Sequence, residues 1–188
     1  MELTDAGRNT VREALRILAS RNIIVIRQGS GCFLSDKKGI ADDPLGLALV
    51  EDPRKLTADL LQIRIMIEPE IAALAAQNAT SQDVEELQFL VDELLELVSQ
   101  NGDFSANDAA FHSKLAECTH NQVISRLLPV ITEGVQTFSH TVQEPEYTYT
   151  VQSHSNLVNA IRSHRSADAR EIMLYHLLYN KHRFENEG

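Results

Sequence analysis

The stretch GRNTVREALRILASRNIIVIRQGSGCFL, Gly7 to Leu34, decides how the chain is read. Its first part places Val11, Ala14, Leu15 and Leu18 at helical spacing and sets Arg8, Asn9, Arg12 and Arg16 on an adjoining face. That is the pattern of one amphipathic helix with a basic side. Its second part is a β-branched run after Asn22 that breaks at Gly29-Ser30-Gly31 and resumes as an apolar segment, which predicts a β-hairpin. The 188-residue chain as a whole is acidic, with a formal net charge of -10. The charge is divided, however: residues 1–40 hold seven Lys/Arg against four Asp/Glu, and residues 41–188 hold ten against twenty-three. Only the N-terminal unit is suited to a polyanion.

A helix followed at once by a hairpin, with arginines on the helix and glycines at the hairpin tip, is the C-terminal half of a winged helix-turn-helix. In that geometry the helix enters the major groove of DNA, where arginine pairs with guanine edges, and the hairpin approaches the neighbouring groove or phosphates. A surface helix with three solvated arginines is the competing reading, and the hairpin argues against it.

Beyond this unit, Ser35 to Pro44 is polar and ends on a proline, as a linker does. The apolar piece Leu45 to Val50 predicts a short extra helix, and helical periodicity then continues to the end of the chain. A long helix is expected over 57–76, kinked near Pro69. Others follow from an N-cap at Thr80 with Asp83 to about Ser99, stopped by Asn101-Gly102; over 104–118; over 122–141 around Pro129; and, after a loop at 143–147, to Ser163 and from Ser166 to about Phe184. The expected architecture is mostly α: a partial winged helix-turn-helix over 1–38, a linker with a short helix over 39–56, and an all-α bundle of six or seven helices over 57–188. No apolar run reaches the roughly 20 residues of a membrane span, and Met1 to Thr10 has no apolar signal region. Cys32 and Cys118 are too far apart for a disulfide framework or a zinc-ligand spacing. A soluble, cytoplasmic protein without a membrane partner is expected.

Asp108 and His112, in NDAAFHSKLAE, lie one helical turn apart on one face and can share a metal. His154 and His176 come from other predicted helices, and His176 is flanked by Met173, Leu174, Leu177 and Leu178, so its ring must be satisfied inside the bundle. Imidazole and carboxylate ligands in a helical bundle can build a transition-metal site with open positions. Spacing alone equally allows hydrogen-bonded core histidines and a surface Asp/His pair. His120, His140, His164 and His182 fall at helix ends or on polar faces and read as solvated.

Two sets of residues resemble one family. GRNTVREALRIL followed by RQGSGCFL resembles the recognition helix and wing of the GntR regulators, and most of Leu60 to Tyr179 resembles the FadR C-terminal domain, FCD, that many of them carry. In the second region LLQIRIMIEPEIAALAA is similar to the R-x-x-[IL]-E-P helix of that domain, NDAAFH to its D-x-x-F-H helix, and the segments around His154 and His176 to its H-x-x-[IL] and M-x-x-H-L motifs. The resemblance implies that Arg8, Thr10 and Arg12, with Asn9 in place of a usual Thr or Ser, contact DNA from the helix, and that Gln28 and Gly29 do so from the wing tip. It implies that Asp108, His112, His154 and His176 ligate a divalent transition metal, with Zn, Ni or Mn most plausible, and that Arg64 faces the effector pocket. A salt bridge to Glu68, one turn on, is the alternative role for Arg64.

In the family the winged helix begins further upstream with additional helices that cover the recognition helix. MELTDA stands in their place here, so Val11, Leu15 and Leu18 are expected to be uncovered. The functional expectation is a bacterial metabolite-responsive transcriptional regulator, not an enzyme, that binds a palindromic operator as a homodimer and responds to a small organic acid held at the metal. A metal-dependent bundle enzyme acting on a small carboxylate, and a dimerisation or ligand-binding module without DNA binding, are the competing classes.

Overall fold

A computed structural model of the chain describes residues 6–35, 39–41, 43–100, 102–138 and 147–186. It divides into a unit over Met1–Leu49 and a larger one over Val50–Gly188. His140, Asn101 and the first part of the loop expected at 143–147 lie outside the described residues.

The small unit contains α1 (Arg8–Ser20) and an antiparallel hairpin of β1 (Ile24–Arg27) and β2 (Gly31–Leu34), paired from Ile24 with Leu34 to Arg27 with Gly31. The turn closes with the Ser30 N–H donating to the Arg27 carbonyl at 3.0 Å. Gly29 lies at φ 77 in that turn, a conformation that glycine takes without steric cost. No residue of α1 is buried: Val11 and Leu18 are exposed on the side that the sequence marks as apolar. The apolar piece before the body forms a single 3₁₀ turn, Leu47–Leu49, held by the Asp43 carboxylate, which accepts from the backbone N–H groups of Leu47 and Ala48.

Among the described residues the large unit is a bundle of six helices: α2 (Pro53–Asn78), α3 (Ser81–Ser99), α4 (Ser105–Glu117), α5 (Ile124–Phe138), α6 (Tyr147–Arg162) and α7 (Ser166–Asn186). α2 starts four residues earlier than periodicity suggests because Asp52 caps it, accepting from the Lys55 N–H at 2.9 Å, and Pro53 occupies its first turn. It runs through Pro69 as one helix, as α5 does through Pro129. α3 opens with a capping box: the Thr80 hydroxyl accepts from the Asp83 N–H while the Asp83 carboxylate accepts from the Thr80 N–H. Its end is closed by the Gly102 N–H donating to the Leu97 carbonyl at 2.9 Å.

The bundle core joins all six helices. Ala72, Ala75 and Ala76 of α2 allow close approach, and Leu87, Phe111, Leu128, Leu157, Ile161, Met173 and Leu177 fill the interior with almost no exposed surface. Each such large side chain contributes roughly 1.5–3 kcal/mol on burial. Polar residues fasten α3 to α4 at the edge: Lys114 pairs with Asp83 at 3.0 Å and with Glu86, and His120 Nε2 lies 3.0 Å from Asp83. Burial alone would raise the Asp83 carboxyl, but hydrogen bonds from Thr80 and Lys114, with the Lys114 charge, outweigh it and hold the group well below the usual carboxylate range. A depressed folded-state value means that Asp83 stabilises the fold above the unfolded value of about 3.9, and that this stability is lost as pH falls below it. Asp83→Asn is therefore expected to lower stability at pH 7 and to flatten the acid limb of urea denaturation midpoints measured from pH 5 to 2.

Candidate metal and effector site

α4, α6 and α7 each deliver part of one buried cluster. Asp108 and His112 lie one turn apart on α4, His154 comes from α6 and His176 from α7, and their potential ligand atoms all lie within 4.8 Å of one another. His154 Nε2 is 3.5 Å and His112 Nε2 3.8 Å from Asp108 Oδ1. The three rings are at most 1% exposed, whereas Asp108 keeps contact with a cavity. His154 stacks on Phe111 with ring centroids 3.9 Å apart, which fixes the plane of its imidazole. Burial, then the neighbouring cationic groups, pushes His154 and His176 well below the usual histidine range, so both rings are neutral near pH 7 and offer lone pairs.

The three rings differ in their hydrogen bonding: His176 is bonded at both nitrogens, His112 at one and His154 at neither among the described residues. His112 Nδ1 lies 2.5 Å from Glu68 Oε2, and His176 Nδ1 lies 2.8 Å from Ser153 Oγ, whose own hydrogen goes to the Thr150 carbonyl. Asn180 approaches His176 Nε2 at 3.1 Å. Of the five buried side-chain polar atoms that lack a hydrogen-bond partner among the described residues, four belong here: His112 Nε2, both His154 nitrogens and Arg64 Nη2. Orphaned polar atoms are costly inside a protein; the imidazole lone pairs of His112 Nε2 and His154 Nε2 beside the Asp108 carboxylate fit a cation that would satisfy them, whereas Arg64 Nη2 is a donor suited to an anion. The donor set of imidazole nitrogens and a carboxylate oxygen suits a divalent transition metal.

Arg64 is 3% exposed and donates through Nε to Glu68, the partner that the i, i+4 spacing suggests. Burial would lower its pKa, but the charges of Glu68 and Asp108 keep the guanidinium protonated. Glu68 is also fully buried; burial alone would raise it, but Arg64 and His112 hold it ionised. Arg64 and Asp108 face a cavity of about 180 Å3 that Thr132, Thr150, Asn180 and Arg183 also line. Sequence reasoning treats Glu68 only as a partner of Arg64 and passes over Phe111, Ser153 and Asn180. Asn180, four residues after His176 on α7, is the one that helical spacing could have exposed.

In the small unit Arg8, Asn9, Thr10 and Arg12 all lie exposed on the first turns of α1, and Gln28 and Gly29 are exposed at the hairpin tip. α1 has no acidic residue in its first turn. Guanidinium groups at the positive end of a helix dipole cost stability, and the same arrangement attracts phosphate.

A helix-and-hairpin head with a helical bundle that buries an imidazole and carboxylate cluster is the architecture of a two-unit regulator. The bundle matches the model of the FCD domain over residues 59–179 and the head that of bacterial regulatory proteins of the gntR family over residues 1–34. The chain belongs to the GntR family of transcriptional regulators, which are not enzymes, and carries an FCD domain. It is similar to the Uxu operon regulator of Haemophilus influenzae, with 28% identity over 91% of this chain and 65% of that protein. It is also similar to the galactonate operon transcriptional repressor of Escherichia coli, with 29% identity over 88% of this chain and 75% of that one. The chain thus spans about two thirds to three quarters of the length of these relatives. Among solved structures, Streptococcus agalactiae GntR superposes with a TM-score of 0.82 at 36% identity, covering 95% of this chain and 83% of that one. Among the described residues no helix is long and apolar enough to cross a membrane.

Proposed function

We propose that this protein is a metabolite-responsive regulator whose bundle binds a small organic acid over a divalent transition metal and whose basic head binds operator DNA, two copies acting on a palindrome. The observation that carries the reading is the convergence of orphaned buried atoms, His112 Nε2 and His154 Nε2 beside Asp108, next to a cavity that Arg64 lines. Asp108, His112, His154 and His176 would hold the metal, with Zn, Ni or Mn suited to the donor set and about one or two coordination positions left for the acid or water. The metal when bound supplies a Lewis-acid position for an oxygen of the acid. The chain supplies the rest. Arg64 and Arg183 present positive charge to the cavity, Thr132 and Thr150 offer hydroxyls for a hydroxycarboxylate or sugar acid, and the apolar core around the cluster excludes water. For the acid to act as a signal it must bind one arrangement of the heads better than another, because equal affinity shifts nothing. Native mass spectrometry and metal analysis of the purified protein test the reading. One metal per chain with a co-purifying carboxylic acid is expected, and a metal-free chain that takes up none of the three metals would sink it.

Arg8, Asn9, Thr10 and Arg12 of α1 and Gln28 and Gly29 of the wing are the proposed DNA contacts. Arg8→Ala is expected to cost about 1–3 kcal/mol and to relax preference at one base pair of each half-site. Titrations of a selected operator and a scrambled duplex at several salt concentrations measure this. An arginine that binds phosphate alone would instead weaken both duplexes equally. The excess of negative charge on the body repels DNA, so two basic heads acting together should bind far more tightly than one.

A further inference from the structure

Glu68 sits where two buried functional groups meet, yet it belongs to α2, which contributes none of the four clustered residues. Its Oε1 accepts from Arg64 Nε and its Oε2 faces His112 Nδ1 at 2.5 Å, with none of its surface exposed. An ionised carboxylate can only accept, so this contact requires a hydrogen on His112 Nδ1. With that hydrogen on Nδ1, Nε2 is the nitrogen left to offer a lone pair; it is buried without a hydrogen-bond partner among the described residues and faces Asp108. Because Arg64 engages the other oxygen, the carboxylate is held from both sides and its aim at His112 is fixed. The two other imidazoles are oriented differently: His154 by stacking on Phe111, with neither nitrogen bonded, and His176 by a neutral hydroxyl. Among the described residues, His112 alone of the three has a carboxylate on its Nδ1, and ligating histidines characteristically donate their second nitrogen to such a group.

Resting on the reading of the cluster as a metal site, we infer that Glu68 is its positioning residue, holding His112 in the Nδ1–H form so that Nε2 is preset as a ligand before metal arrives. Arg64 then has two tasks: through Nε it keeps Glu68 ionised and aimed, and its side chain also lines the cavity beside Asp108. Burying this charged pair costs solvation, a cost compensated where the carboxylate serves a second partner.

The test uses the full chain stripped of metal, with Ni2+ as the probe in competition against a chelator, and nitrogen-15 NMR of the imidazoles in the metal-free protein. Glu68→Gln is expected to weaken Ni2+ binding by about 10- to 100-fold, and to move His112 away from a single Nδ1–H form, since the amide can offer its NH2 to that nitrogen. Glu68→Gln leaves the Arg64 charge buried without its counter-ion, so Arg64→Met/Glu68→Gln is the companion variant; it removes both charges and should show the same loss. Unchanged Ni2+ affinity in either folded variant overturns the inference while leaving the metal site in place. So does weakened affinity with the His112 form unchanged, which would assign Glu68 a purely structural role. A parent chain that binds neither Ni2+, Zn2+ nor Mn2+ overturns both the inference and the metal reading.

Discussion

Loading the metal-free protein with Zn or Ni is expected to raise its thermal midpoint by roughly 10 °C, and His112→Ala with His176→Ala to abolish both the binding and the rise. The size follows from linkage: a ligand at a thousand times its dissociation constant stabilises by about 4 kcal/mol, and a chain of this length gains about 2–4 °C per kcal/mol. The effect should be large because an ion at this position satisfies His112 Nε2 and the His154 nitrogen beside Asp108, which otherwise remain buried without partners among the described residues. Both histidines line the packed interior, so removing them also leaves space that lowers the metal-free midpoint by itself. The informative quantity is thus the difference between loaded and stripped protein, measured by differential scanning calorimetry for parent and variant. A stripped parent whose midpoint does not move when Zn or Ni is added would remove the site from consideration.

The second large effect is expected from Arg64→Ala. Its side chain and that of Glu68 are 4% and 0% exposed, and removing the cation leaves an ionised carboxylate inside the bundle. Breaking a buried pair in this way costs about 3–5 kcal/mol, measured as a lower free energy of unfolding in urea. The neutral pair Arg64→Met/Glu68→Gln should recover most of that loss, because the penalty comes from the stranded charge and not from lost packing. In folded Arg64→Ala the metal is expected to remain bound at saturating concentration, while the affinity for the co-purifying acid falls by about 2–5 kcal/mol. Calorimetry that finds acid affinity unchanged would confine Arg64 to its ion pair with Glu68.

Much of the fold was legible from local pattern. The apolar spacing from Val11 to Leu18 and the Gly29-Ser30-Gly31 break identify α1 and the hairpin, and 3.6-residue periodicity locates the six bundle helices. The misses lie at the ends. α2 begins at Pro53 because a single cap and proline outrank weak periodicity there, and the piece before it makes only one 3₁₀ turn, whose first N–H groups donate to Asp43. Such ends depend on one or two hydrogen bonds, which a periodic pattern does not encode.

For the site, spacing in the sequence alone determined one neighbour relation, Asp108 with His112, and offered Glu68 as a partner for Arg64, since residues four apart on a helix must face the same way. His154 and His176 were candidates from their places on other predicted helices, and the resemblance assigned them as ligands. Only the tertiary structure brought α4, α6 and α7 close enough for the four residues to converge, and only it placed Glu68 between Arg64 and His112, a ring 44 positions further along the chain than Glu68. The reason is physical: which buried polar atoms find partners depends on how helices pack across the core, and packing joins residues that no local period relates.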